Sequence, residues 1–352
     1  MIAFKDGLTI GGDSPIRVNC NIGCNKIEDI QSEISKIEFI QSCNELPDMM
    51  MDLSLIELEE PLYNYIKNNL GLPFGVVLSY HRFTKSKGYQ WEDIRDAFLQ
   101  LCYDGVSFVT IHFTADLDLF SRANQIRKIP VTSRGGGMVL YDSRINNRTQ
   151  NIFRENIDEI ANIALKHNVV ISLGTTFRPG TILDACDSVH IEETLRQLSI
   201  CRLLQSKGVK VMVENIGHIT LDKIATHSKL LSKFNAPIMP LGPLPTDAAI
   251  NEDHIANAIG ASFAAHVGCA HIINCVTRYE HSKSAITQDV TIEAIRAAKV
   301  AAHIADLSRN INEANLYDTS ITNNRVKEHC CFADSNNCTR CRTVCPLKLT
   351  SI

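Results

Sequence analysis

Three thiols fall close together near the C-terminus, in Cys338-Thr339-Arg340-Cys341-Arg342-Thr343-Val344-Cys345-Pro346. The C-x2-C-x3-C-P spacing lets one tight loop turn three thiolates toward one face of an iron–sulfur cube, and C-x3-C-P also ends the ferredoxin-type run. Three ligands leave one iron open. An open iron can take the amino and carboxylate groups of S-adenosylmethionine, which a reduced cluster cleaves to a radical. A zinc knuckle or a set of redox thiols would use the same residues, and zinc would need a fourth ligand from His329, Cys330 or Cys331.

The rest of the chain must hold that chemistry over a substrate. From residue 16 onward short β-branched runs alternate with longer segments of helical period, the rhythm of parallel β/α units. Strands are predicted at Ile16–Gly23, Met49–Ser54, Pro73–Tyr80, Phe108–Thr114, Val169–Gly174, Lys210–Asn215, Pro237–Gly242 and Cys269–Thr277. Helices are predicted at Ile27–Ser42, Leu58–Asn69, Trp91–Tyr103, Phe153–Asn168, Ile191–Lys207, Leu221–Phe234, Glu252–Val267 and Val290–Ser308. Eight such units close an α/β barrel of the (β/α)8 TIM type. The expected organisation is an N-terminal extension over residues 1–15, the barrel over 16–309, and a linker with the cysteine tail over 310–352. The Asn-rich stretch Asn310–Asn324 reads as the linker, and Ala115–Asn151 as a long loop of the kind that is usually functional or disordered.

In such a barrel the reactive face lies at the C-terminal ends of the strands. Polar residues gather there: Asn21, Asp52, Tyr80, His112, Arg134, Arg178, Glu214 with His218, Asp247, and Glu280 with His281. Asn215-Ile216-Gly217-His218 puts an imidazole on a loop loosened by glycine, and His281 follows the last strand. Two histidines converging on the mouth can hold a divalent metal through neutral nitrogens, with His254 and His271 as rival ligands. Ser133-Arg134-Gly135-Gly136 and Phe177-Arg178-Pro179-Gly180 join an arginine to glycines that let backbone N–H groups approach a ligand, which suits phosphate.

Composition narrows the classes. The 352 residues are 45% hydrophobic and 21% charged, enough for a sizeable core, and a net charge of −4 without a Lys/Arg-rich run argues against nucleic acid. Met1 to Asp13 lacks a leader pattern, and no stretch reaches the ~18 apolar residues of a membrane span. The expectation is a cytoplasmic protein with no membrane partner. Of the thirteen cysteines, eight are scattered through apolar segments before residue 300 and read as reduced core thiols.

In order along the chain, these segments resemble the phosphomethylpyrimidine synthase (ThiC-type radical enzyme) family. The resemblance rests on Asn19-Cys20-Asn21-Ile22-Gly23, Met51-Asp52-Leu53-Ser54, Thr110-Ile111-His112, Ser133-Arg134-Gly135-Gly136 and Arg178-Pro179-Gly180. It continues through Glu214 with Gly217-His218, Leu241-Gly242-Pro243-Leu244, Asp253-His254-Ile255, and Val276-Thr277 with Glu280-His281. It implies substrate contacts to aminoimidazole ribonucleotide at Asn21, Met51, Tyr80, His112, Ser133, Arg134, Gly135, Arg178 and Glu214. Glu214 and His112 would position or shuttle protons. It implies zinc or iron at His218 and His281, in preference to His254. It also implies a [4Fe–4S] cluster on Cys338, Cys341 and Cys345 that cleaves S-adenosylmethionine, an external electron donor, and a homodimer.

Several positions depart from the family pattern. Thr175-Thr176-Phe177-Arg178 stands for D-G-L-R, Met239 lies where a tyrosine is expected, Asn215-Ile216 replaces glycine and proline, the cysteine spacing is one residue shorter, and the long N-terminal region is missing. Together these suggest a divergent paralogue whose ligand differs where a carboxylate is lost at Thr175. The leading reading is a radical S-adenosylmethionine lyase acting on an imidazole ribonucleotide or a related phosphorylated heterocycle. Rival readings are a hydroxybenzimidazole synthase, a metal-dependent barrel lyase or hydrolase with a structural zinc tail, and a non-catalytic ligand- or metal-binding paralogue.

Overall fold

The computed structural model describes residues 1–282, 284–326 and 341–350. It begins with a hairpin of two short antiparallel strands, β1 (Ile2–Ala3) and β2 (Thr9–Ile10). Eight parallel strands follow: β3 (Arg17–Ile22), β4 (Met49–Asp52), β5 (Phe74–Val77), β6 (Phe108–Ile111), β7 (Val170–Leu173), β8 (Val211–His218), β9 (Ile238–Leu244) and β10 (Ile272–Asn274). From β3 to β9 each strand pairs with the next in sequence, and β10 returns to pair with β3. The His271 N–H donates to Ile238 O at 2.8 Å and Asn274 Nδ2 to Pro240 O at 2.8 Å, so β10 is also stitched to β9. This is the expected (β/α)8 barrel.

The helical layer is α1 (Ile30–Ser42), α2 (Leu62–Tyr65), α3 (Trp91–Asp104), α4 (Leu117–Ile126), α5 (Arg134–Ile145), α6 (Ile152–Glu155), α7 (Ile157–His167), α8 (Ser188–Ser206), α9 (Leu221–Leu231), α10 (Asp253–His266) and α11 (Gln288–Ser308). The predicted long loop over 115–151 is therefore mostly helical. Its Ser-Arg-Gly-Gly-Gly run looks like a turn in sequence, but Ser133 caps α5 by accepting the Gly136 N–H at 3.1 Å, and a satisfied cap lets glycines occupy a first turn. The predicted helix from Leu58 begins only after Pro61, which precedes α2 in extended conformation.

Period-two alternation divides the apolar residues between two cores. Inward residues Met49, Met51, Val77, Phe108, Val170, Met212, Met239 and Ile272 fill the barrel. The hairpin joins them, because Phe4 and Ile10 are buried in the same cluster and the Phe4 ring stacks on Phe108 at 5.4 Å. Residues 1–15 thus floor the barrel. Outward residues such as Val109, Ile111, Val211 and Val213 pack against the helices in the larger core.

The chain divides into two compact units, Met1–Ala305 and Asp306–Ile352. The second contains α12 (Asn312–Val326), a 3-10 turn over Arg342–Val344 and α13 (Pro346–Thr350). The Asn-rich stretch predicted as a linker is helical from Asn312. Its polar side chains bond carbonyls of their own helix, Thr319 Oγ1 to Asn315 O at 2.7 Å and Ser320 Oγ to Tyr317 O at 2.7 Å, so they do not force the chain out of it. Among the described residues, no helix is long and apolar enough to cross a membrane.

Candidate active site

The C-terminal ends of the barrel strands enclose a cavity of about 220 Å³. Every residue that sequence reasoning assigned to substrate contact lines it except Gly135, which lies behind His112; Thr110, Met239 and Glu280 line it as well. A neighbouring hollow of about 440 Å³ shares Asn21, Arg134 and Glu280 with it as lining residues.

His112 stands one residue beyond β6. A Cβ added at Gly135 would lie 2.5 Å from its Cε1, and one at Gly174 2.9 Å from its Nε2, so only glycine admits the ring between these two backbones. His112 Nε2 is 2.9 Å from Ser133 Oγ, while its buried Nδ1 has no partner among the described residues. Burial, with Arg178 as a lesser cause, lowers its pKa to about 3, so the ring is neutral. Glu214 enters from β8 and accepts the Thr110 hydroxyl at 2.8 Å. Burial raises its pKa, against the opposing pull of that hydrogen bond and of Arg178.

Positive charge comes from two sides. Arg134, the first residue of α5, lies 5.5 Å above the Tyr80 ring and donates to Asn25 Oδ1 at 2.9 Å. The amides of Arg134 and Gly135 open the helix and have no intrahelical acceptor, so the positive end of α5 faces the same region. Arg178 donates to Thr175 O at 3.0 Å, and burial draws its guanidinium below the ordinary arginine range while Glu214 opposes the shift. Asn21 accepts from Asn19 Nδ2 at 2.8 Å, part of a polar chain that continues to Asn274.

His218 and His281 meet at the rim. The loop expected around His218 is instead the end of β8, where the register with β9 shifts between Ile216 and His218. Ile216 takes a φ of +64°, a costly conformation for a β-branched residue, and the bulge turns His218 onto the mouth. His218 Nδ1 is 2.7 Å from Asp247 Oδ1 and His281 Nδ1 is 3.1 Å from Asp253 Oδ1. A carboxylate partner fixes the N–H on Nδ1, which leaves the two Nε2 atoms facing one another at 3.1 Å. Two lone pairs at that distance repel unless a cation or proton lies between them, so the donor set fits a divalent metal. His254 is engaged elsewhere, 3.5 Å from Glu293 and 3.8 Å from Glu252, and His271 Nδ1 accepts the Ile238 N–H at 3.1 Å.

Thr175 does not line the cavity. Its hydroxyl donates to Glu214 O at 2.6 Å and receives Gln197 Nε2 at 3.2 Å, because strand alternation turns it toward the helices. Sequence reasoning also missed Glu193, a fully buried carboxylate of α8. It accepts the Thr114 hydroxyl at 2.7 Å and the N–H groups of Thr176 and Phe177 at 2.6 and 2.8 Å, and desolvation raises its pKa to about 7. Arg127 completes the clamp by donating to Phe177 O and, through two nitrogens, to Asp187. Together they fix the loop that carries Arg178. Only the fold brings these partners together; the sequence signal was no more than a charge at a helical core position.

Of the predicted cluster ligands, Cys341 and Cys345 flank the 3-10 turn, and Cys338 lies outside the described residues.

A family model described as the Radical SAM ThiC family matches residues 4–331. The phosphomethylpyrimidine synthase of Sulfurisphaera tokodaii is 34% identical over 334 residues, covering 92% of this chain and 76% of that protein. The phosphomethylpyrimidine synthase of Pyrobaculum aerophilum is 32% identical over 326 residues, with 90% and 74% covered. That of Caldanaerobacter subterraneus subsp. tengcongensis is 34% identical over 329 residues, with 90% and 75% covered. Membership of this family implies S-adenosylmethionine and a [4Fe–4S] cluster. The chain belongs to the radical SAM ThiC family and is an enzyme.

Proposed function

We propose that this enzyme performs pyrimidine-forming chemistry of the phosphomethylpyrimidine synthase kind, in thiamine biosynthesis, on an imidazole ribonucleotide. The observation that carries the reading is one cavity that brings Arg134, Arg178 and the positive end of α5 together with a neutral His112 and the Glu214 carboxyl. The arginines and the α5 amides hold the phosphate, which binds such a fork whatever its organic part. Thr110 orients Glu214, which exchanges protons with the heterocycle. Ser133 holds the His112 ring, leaving Nδ1 for a proton or a hydrogen bond.

His218 and His281 would hold a zinc or iron ion, which would orient substrate or S-adenosylmethionine; Asp247 and Asp253 set the tautomers of the two rings. Cys338, Cys341 and Cys345 would hold the cluster, which would supply the electron for reductive cleavage of S-adenosylmethionine. An external donor returns electrons, and two copies of the chain form the working unit. Because Thr175 points away from the cavity, the departure that reaches the pocket wall is Met239, which adds apolar surface there.

The test is anaerobic reconstitution with iron and sulfide, followed by mass spectrometry of the products from S-adenosylmethionine and aminoimidazole ribonucleotide. Formation of 5′-deoxyadenosine with a phosphorylated pyrimidine is expected. A hydroxybenzimidazole would establish the sister activity instead. Tight ligand binding without cleavage of S-adenosylmethionine would make the protein a non-catalytic binder. Stoichiometric zinc without acid-labile sulfide would replace the cluster with a structural tail.

A further inference from the structure

On the face of β8 turned away from the cavity, three side chains with no part in the mouth converge. Cys186 in the loop before α8, His190 in its first turn and His227 in α9 each present a ligand atom, all within 4.8 Å of one another. Both histidines are buried, and their rings stack at 4.3 Å with 30° between planes. Cys186 is only partly covered, which leaves a way in from solvent.

The hydrogen bonds of Asn215 fix both tautomers. Its Oδ1 accepts the Ile216 N–H at 2.7 Å, and its Nδ2 donates to Gln197 Oε1 at 2.8 Å and Thr194 Oγ1 at 3.2 Å. The Oδ1 is therefore an acceptor, and the two Nε2 atoms beside it, at 3.4 Å for His190 and 3.0 Å for His227, are donors. Both Nδ1 atoms then carry lone pairs. That of His190 takes a 3.2 Å hydrogen bond from the Cys186 N–H, which a stronger acceptor would displace. That of His227 is buried and has no partner among the described residues. An unsatisfied buried acceptor is costly, and an outer partner fixing the far nitrogen is the usual arrangement behind a metal-ligating histidine.

We propose that Cys186, His190 and His227 form a second metal site, for a borderline-soft divalent cation such as zinc, with water in the fourth position. One thiolate and two neutral imidazoles suit zinc. Tetrahedral bonds of about 2.0–2.3 Å separate ligand atoms by roughly 3.3–3.7 Å, so the cluster needs to contract by about an ångström. Binding forms a sulfur–metal bond and releases the thiol proton to solvent. The ion ties the loop that carries Arg178 to the helix that follows His218, and so braces the mouth from behind.

The experiment uses the full chain with His218→Ala and His281→Ala, so that the rim pair contributes nothing. The protein is stripped with chelator, titrated with zinc, and followed by elemental analysis, zinc-edge X-ray absorption and thermal unfolding. Zinc with a mixed sulfur and nitrogen shell and a rise in Tm are expected. Cys186→Ser and, separately, His227→Gln should each remove about one zinc per chain and the rise in Tm. Zinc content and Tm shift unchanged by both substitutions would overturn the proposal, including where the tail cysteines alone account for the metal. A zinc shell lacking sulfur in the parent would overturn it without recourse to the variants.

Discussion

Histidine pairs lie beside the two faces of β8 in opposite arrangements. On the cavity side, carboxylates take the Nδ1 protons of His218 and His281 and turn both Nε2 atoms inward, at 3.1 Å. On the helix side, a neutral carboxamide takes the Nε2 protons of His190 and His227 and leaves the Nδ1 atoms to a thiol. An anionic partner makes an imidazole more basic, whereas an amide fixes geometry without adding charge. One strand therefore places chemistry on its front, at His218, and bracing on its back, at Asn215 three residues earlier.

The largest effect should come from the front. His218→Ala with His281→Ala is expected to lower turnover by at least about 1,000-fold, some 4 kcal/mol of transition-state stabilisation, while Tm hardly moves. A loss of fold on that scale, seen by thermal unfolding, would erase the division of labour. On the back, Asn215→Ala leaves the N–H groups of His190, His227 and Ile216 without their acceptor and should cost about 3 kcal/mol in denaturant unfolding, since each buried orphan costs ~1–3 kcal/mol.

The faces should also respond to pH with opposite signs. His112 has a folded pKa near 3 against an ordinary 6.5, so the unfolded chain binds the extra proton and stability falls as pH drops from 6.5 toward 3. Glu193 has a folded pKa near 7 against 4.5, so the folded chain holds the extra proton and stability falls as pH rises from 4.5 toward 7. Each slope is at most ~1.4 kcal/mol per pH unit. Unfolding of His112→Gln and Glu193→Gln across pH 4–8 should remove one slope each; the same sign from both would contradict the assignment. The smallest effect is reserved for Thr175→Val, which should cost about 1 kcal/mol for its hydrogen bond to Glu214 O and leave ligand affinity, read by calorimetry, unchanged. Altered affinity would put Thr175 back in the pocket.

The barrel was legible because eight strand and helix periods repeat in order, and the front face because strand ends are where polar residues have no packing reason to be. The helices α4 and α5 were not, since three successive glycines mask a helix whose cap is a single serine oxygen. The back face was illegible for another reason. Glu193, Arg127 and Asn215 act through partners 12 to 79 residues away, and no local spacing records such a pairing. The same distance hid Cys186, His190 and His227, which look like scattered core residues until β8 draws α8 and α9 together.

The Phe4 ring stacked on Phe108 makes the barrel a vessel with one door. A reactive fragment released at the mouth meets a hydrocarbon plug below and cannot drain through the axis. Whatever enters at the C-terminal ends of the strands must leave there as well, past the Arg134 and Glu280 side chains that line the cavity and the hollow beside it.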